Sequence, residues 1–290
     1  IEQAGYQDAE REGEAPAEPR KLPRGTDSTS IPTAPADGVR SAQFEQPAPT
    51  TKPAAIVPDE KTLAATLAEV DVQLQKENWL AAHKELSRVY WAHPESREEF
   101  IDRINHTAQA IFFSPQPHFV EPHVISPGDR LQTVASKYKL TWEYLAQLNQ
   151  IDPKRIRDGQ RLKVIRGPFS AVVELSDYSM TVNLQGYFVK RYAVGIGKDD
   201  ASPIGKHAVL NKVVNPQYTT PDGKVISGDD PANPLGERWI DLGHSYGIHG
   251  TIEPDSIGRA ASRGCIRLGN EDVIEVYNFL VNGSEVTIRP

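Results

Sequence analysis

The sequence predicts a multidomain chain: an α-helical segment, a small βααβ unit and a mainly β C-terminal domain. Three observations predict it. Apolar residues recur at helical spacing between Asp59 and Phe113. A strand–helix–helix–strand pattern with turn residues at its joints fills 121–166. From Phe169 onward the apolar period falls to two, the period of strands. A length of 290 residues leaves room for such a division.

Residues 1–58 are rich in Pro, Ala, Glu, Ser and Thr, with few large apolar side chains. Such a stretch cannot bury enough surface to offset the entropy of ordering, so a flexible tether is expected. In 59–116, Leu63, Leu67, Val70 and Leu74 mark one face of a first helix. Trp79, Ala82, Leu86, Val89 and Tyr90 mark a second. Pro94 breaks the pattern and opens a third with Phe100, Ile101, Ile104, Ala108 and Ile111 inward. The stretch from Asn78 to Tyr90 resembles one tetratricopeptide-type hairpin, without a second copy of the period. A helical spacer or docking module is expected.

In 121–166 a short strand (His123 to Ile125) runs into the turn Pro127-Gly128-Asp129, with Asp129 expected to cap the helix that follows. Leu131, Val134, Ala135 and Tyr138 give its face. Thr141 caps a second helix bearing Trp142, Leu145 and Leu148, and Arg161 to Val164 close the unit. The Gly-Asp-x-Leu start, the Leu-x-x-Leu-Asn centre and the Asp-Gly-Gln-x-Leu-x-Val end together resemble a LysM domain. That resemblance implies binding of N-acetylglucosamine-containing glycan strands such as peptidoglycan, in a groove between Ser126–Arg130 and Gln150–Arg155.

The last unit, 168–290, opens with strands at Ala171 to Leu175, Met180 to Leu184 and Phe188 to Val194. Another strand is expected from Ala208 to Val213. A long polar insertion, 215–234, reads either as a flap over a site or as a solvated excursion. A strand at Trp239 to Leu242, a helix capped by Asn270, and a strand at Glu285 to Ile288 complete it.

The chemistry-bearing stretch lies between Ile248 and Leu268. Cys265 is the only cysteine of the chain, and His249 stands upstream of it beside Gly250. A free thiol, with a pKa near ~8.5, is mostly unreactive at neutral pH without a base or a positive field. His249 is the nearest base; Arg263 and Arg267 supply charge. These neighbours lead to the expectation that Cys265 alkylates faster than a model thiol at pH 7. Gly264 lets a substrate approach the backbone, where the amides of Gly264 and Cys265 could form an oxyanion hole. A buried structural cysteine remains the plain alternative.

From Phe169 to the end, the sequence resembles the L,D-transpeptidase family of peptidoglycan enzymes. The carriers are Ile248-His249-Gly250-Thr251, Pro254-Asp255-Ser256-Ile257-Gly258, Ser262-Arg263-Gly264-Cys265-Ile266-Arg267-Leu268 and Ser202-Pro203-Ile204-Gly205. The resemblance implies a mainly β, sandwich-like catalytic domain with Cys265 as nucleophile and His249 as general base and acid. Gly264 would contribute the oxyanion backbone; Gly250, Ser262, Arg263, Arg267 and Tyr246 would bind substrate. Cys265 would attack the L-centre carbonyl of residue three of a tetrapeptide stem, release D-alanine, and pass the acyl group to an amine of a second stem, forming a 3→3 cross-link. Carbapenems would acylate the same thiol. Neither cofactor nor metal is implied. One departure stands out: many members carry a second histidine directly before Gly-Cys, where this chain has Arg263, which cannot act as a base.

Three other functions stay open at this point: an L,D-carboxypeptidase using water, a non-catalytic peptidoglycan-binding protein, and an esterase or other acyltransferase. The net charge of −7 and the lack of a basic block argue against nucleic acid. No apolar run is long enough for a membrane span. The chain begins at Ile1 rather than Met, and a leader or anchor removed from an exported, cell-envelope protein (periplasm or wall side) is expected. The oligomeric state is not legible.

Overall fold

A computed structural model describes residues 62–220 and 222–290, which fall within one compact unit. The expected tether, 1–58, lies outside the described residues. The elements are helices α1 (Leu63–Gln75), α2 (Trp79–Ala92) and α3 (Ile101–Ala108); strand β1 (His123–Val124), helices α4 (Leu131–Lys137) and α5 (Trp142–Asn149), and β2 (Arg161–Leu162). Then come β3 (Ser170–Glu174), β4 (Ser179–Leu184), β5 (Tyr187–Ala193), β6 (Ile196–Gly197), β7 (Gly205–Ala208), β8 (Asn211–Val214), β9 (Tyr218–Thr219) and β10 (Val225–Ile226). The chain ends with β11 (Arg238–Gly243), β12 (Tyr246–His249), β13 (Ala260–Ser262), β14 (Ile266–Arg267), α6 (Asn270–Phe279) and β15 (Glu285–Arg289).

The C-terminal part is mainly β. One sheet has the order β5-β4-β3-β15-β7 and a second the order β14-β12-β11-β8. Val173, Val182, Phe188, Val286 and Ile288 from the first, and Ile240, Leu242 and Ile248 from the second, are buried in a common hydrophobic core. The single strand expected from Ala208 to Val213 is two, β7 and β8, which pair with different sheets.

The helical segment lies against the first sheet. β4 alternates apolar and polar residues, yet Ser179, Thr181 and Asn183 are buried as well as Met180 and Val182. The reason is α2: Tyr90 Oη and Thr181 Oγ1 are 2.7 Å apart, and Trp91 donates to Gly186 O at 2.7 Å. On the edge strand β5, Phe188 donates to Ser87 Oγ (3.1 Å) and its carbonyl accepts from His83 Nε2 (2.8 Å). An open sheet edge is an aggregation liability, and α2 blocks this one. His83 is buried, which lowers its pKa to about 4 against the opposing bond to Phe188, so it stays neutral at neutral pH.

Next to these contacts, Arg97 holds Glu174 by two bonds (2.7 and 3.1 Å) and stacks over Tyr90, 4.2 Å from the ring centre. Arg289 adds a third bond to Glu174 at 2.7 Å. Burial alone would raise the Glu174 pKa, but the two arginines outweigh it and hold the carboxyl below its ordinary value.

The βααβ unit is joined just as closely. Tyr144 of α5 packs on Phe169 (5.0 Å between ring centres) and Phe279 (5.1 Å), and donates to Phe112 O at 2.9 Å. Thr141 caps α5 as expected, accepting from Tyr144 N at 3.2 Å, and its hydroxyl also donates to Asn278 O. Asn149 pairs like backbone with Lys163, giving 2.9 Å and taking 2.7 Å. The buried Lys163 ammonium then bonds Ala110 O and Ser114 O, at 2.9 and 2.7 Å. Asp129 does not cap α4; its carboxylate accepts from Ser126 N (2.9 Å) and closes the turn around Gly128, where φ is +90°.

Arg97→Met should destabilise the protein by roughly 3 kcal/mol, because it leaves a buried carboxylate short of its main partner. The denaturant midpoint measures this; an unchanged midpoint would mean that Arg289 alone satisfies Glu174.

Candidate active site

β11 and β12 form a hairpin, and β14 adds to β12 in parallel, with Ile248 opposite Ile266 and His249 opposite Arg267. Cys265 immediately precedes β14, so this register brings it beside the strand that carries His249. Both residues line a cleft of about 830 Å³. Its walls include Pro216, Gln217, Tyr218 and Pro234 from the expected insertion, which thus borders the cleft, and Leu235 just after it.

His249 is buried and oriented on two sides. Its Nδ1 lies 2.6 Å from Gly250 O. A carbonyl can only accept, so Nδ1 carries the proton and Nε2 keeps a free lone pair. On the other side, its cross-strand partner Trp239 stacks on the imidazole, 5.7 Å between centres and 22° between planes. Gly247 makes room for the indole: a Cβ there would stand 2.5 Å from Trp239 Cζ2. Burial lowers the His249 pKa to about 4, opposed by the Gly250 bond and assisted by the charge of Arg267. At neutral pH the ring is an uncharged base.

Cys265 Sγ lies 3.8 Å from Ser245 O and receives the Gly247 amide. Burial raises its pKa; the Gly247 bond and Arg267 oppose this and lose. The expectation of an activated thiolate at rest is therefore corrected: flanking cations do not compensate for removal from water, and the resting pair is thiol and neutral imidazole.

The thiol's loop is tightly built. Ser262 Oγ donates to Cys265 O (2.6 Å) and accepts from Gly264 N (3.0 Å). The Gly264 amide, expected as an oxyanion donor, is thus already bonded within the loop. Gly264 has φ +128°, and a Cβ on it would come within 2.5 Å of the Tyr246 ring and 2.8 Å of Ala201 O. Ser202 accepts from Gly197 N at 2.9 Å, fixing the Ser-Pro-x-Gly segment under the same loop. Gly250 does not line the cleft; it packs on Asn270, whose Oδ1 accepts from Thr251 N at 3.0 Å. Asn270 therefore faces the His249 loop, and Gly269 rather than Asn270 is the N-cap of α6. Tyr246, Ser262, Arg263 and Arg267 all line the cleft. Arg267 pairs with Glu253 at 2.8 Å, whereas Arg263 is exposed and has no ion pair among the described residues.

Sequence reasoning missed Trp239 and the turn His244-Ser245. Both turn residues have positive φ (54° and 64°), the geometry of a two-residue hairpin that usually takes Asn or Gly. Without those residues the turn gave no signal. With the hairpin register known, Trp239 would have followed as the partner of His249. Among the described residues, no group of three or more His, Cys, Asp or Glu could hold a metal ion.

Residues 168–288 match the L,D-transpeptidase catalytic domain family (YkuD), and residues 123–164 match the LysM domain. A YkuD protein of Bacillus licheniformis, which carries an L,D-transpeptidase name, is 31% identical over 175 residues, spanning 57% of this chain and 97% of that protein. The YkuD protein of Bacillus subtilis, named likewise, is 32% identical over 174 residues, with 57% and 96% covered. Among solved structures, an L,D-transpeptidase from Mycobacterium smegmatis is similar over 46% of this chain and 64% of that one, at 17% identity and a TM-score of 0.36.

Two outcomes follow from the site's geometry. Iodoacetamide should modify Cys265 more slowly than free cysteine at pH 7, and the rate should still climb above pH ~8.5, because the thiol's pKa is raised. A fast rate that is flat from pH 5 to 8 would show a preformed ion pair instead. Ser245→Gly relieves a left-handed residue and should raise stability by about 1 kcal/mol while slowing that alkylation. A raised thermal midpoint with unaltered alkylation would mean that the strained turn does not position the thiol.

Proposed function

Because the chain belongs to the L,D-transpeptidase family, we propose that its cleft performs acyl transfer on peptidoglycan stem peptides through a cysteine thioester. The observation that carries this reading is a neutral His249, its Nδ1 tied to Gly250 O, opening into the same cleft as the one thiol of the chain. Since the thiol is protonated at rest, His249 Nε2 takes its proton as Sγ attacks the L-centre carbonyl of residue three of a tetrapeptide stem. Such general-base assistance contributes about 10²–10⁴-fold. The oxyanion develops against Cys265 N, a donor of the kind that supplies roughly 3 kcal/mol. On collapse, the imidazolium returns the proton to the departing amine, and D-alanine leaves. An amine of a second stem then attacks the thioester, His249 receives its proton, and the thiol is restored with a 3→3 cross-link formed. Water in place of the amine gives carboxypeptidase turnover. Such double displacement predicts ping-pong kinetics.

The LysM part supports the same polymer as substrate. Its groove, between Ser126–Arg130 and Gln150–Arg155, would hold the glycan strand while the cleft works on the peptide. An enzyme of this kind acts in the cell envelope. No described helix is long and apolar enough to cross a membrane.

A carbapenem should add one equivalent of mass to the protein and none to Cys265→Ala, and His249→Ala should slow acylation by about 10²–10⁴-fold. Acylation should fall as pH drops through about 4, where His249 becomes protonated, and not through the ~6.5 of an ordinary histidine. If no adduct forms and no D-alanine is released, the chain is a wall-binding protein without this activity.

A further inference from the structure

The cleft is lined by two arginines and two histidines and by no aspartate or glutamate. One of the two arginines is compensated, and His249 is uncharged. Arg267 is paired with Glu253 at 2.8 Å, and His249 is tied to a backbone carbonyl on one side and covered by Trp239 on the other. Arg263 is different. It is exposed, two residues before the nucleophile, with no ion pair and no side-chain hydrogen bond among the described residues. In a chain of net charge −7, it leaves one uncompensated cation beside the thiol. Ser262 and Gly264 on either side of it are buried and hydrogen-bonded, so its backbone anchor is rigid. A guanidinium is always charged and presents a planar fork of N–H donors that matches a carboxylate in two parallel bonds.

We propose that Arg263 binds a carboxylate of the donor stem and so positions that stem in the cleft. The proposal rests on the acyl-transfer reading of the cleft. Two carboxylates of a donor stem have this chemistry: the C-terminal carboxylate of the departing D-residue and the side-chain carboxylate of the diamino acid. Whichever one Arg263 holds fixes one point of the stem relative to the thiol. Amidation of the relevant group would remove the anion while keeping the stem's shape.

The test separates recognition from turnover. In the Cys265→Ala background, which cannot form the thioester, dissociation constants are measured by titration calorimetry for three disaccharide tetrapeptides. One is unmodified, one has a C-terminal carboxamide, and one is amidated on the diamino acid. Unmodified stem should bind about tenfold more weakly when Arg263→Gln is added, with Arg263→Lys in between. One of the two amidated stems should show the same weakening without any further variant, and no additional loss with Arg263→Gln; that stem identifies the carboxylate. Raising the salt concentration should weaken binding of the unmodified stem more in the Cys265→Ala protein than in its Arg263→Gln derivative. Equal affinities for all three stems, or an equal loss on all three with Arg263→Gln, would overturn the proposal. Failure of acyl transfer itself would appear separately, as a missing carbapenem adduct on the native protein.

Discussion

The site depends on the parallel pairing of β12 with β14. β14 is only two residues long, Ile266–Arg267, yet it is held on both sides. On one side lies β12, with Leu268 N bonding His249 O at 2.9 Å. On the other, Gly195 and Arg267 exchange two backbone bonds, at 2.9 and 2.8 Å. Glycine is needed at 195 because of the segment behind it: a Cβ would meet Ser256 O at 2.5 Å. Short backbone segments thus define where the sulfur stands relative to the imidazole. Each alone would be too short to be stable, and their mutual pairing supplies the rigidity that chemistry at one atom requires.

Burial sets the character of the pair once the backbone has placed it. Taking a thiol and an imidazole out of water disfavours the charged form of each, and here it does so more strongly than Arg267 and the Gly247 amide favour the thiolate. A resting pair without charge needs no counter-ion in the cleft. Arg267 contributes to the local potential at both groups while its own charge is matched by Glu253.

Much of this was legible in the sequence, for identifiable reasons. Period-two apolar runs marked β3, β4, β5 and β15 because each has a face in the core. The βααβ unit was legible because its turns need glycine and its second helix needs a cap, and Gly128, Gly159 and Thr141 fill those positions. Cys265 and His249 stood out because the first is unique and the second sits in a glycine-flanked motif. What sequence could not give was tertiary. Nothing in the alternation of β4 shows that its polar residues are interior; α2 makes them so. Asp129 and Asn270 have the chemistry of helix caps, but each finds a nearer backbone amide, in Ser126 and Thr251. Gly250 was expected at the substrate because glycine admits close approach; what approaches is Asn270.

Phe169 lies on the boundary between the LysM part and the β domain, with Tyr144 of the one and Phe279 of the other against its ring. Textually it is a junction between two modules; physically it is the middle of a shared aromatic stack. Recombination at this point would join two well-formed sequences and still break the stack between them. The seam between the two families is therefore an unsuitable place to splice. A LysM unit exchanged into this chain must bring its own equivalent of Tyr144, and of the Thr141 hydroxyl that meets Asn278, before it can seat. Two family matches thus meet inside one packed unit.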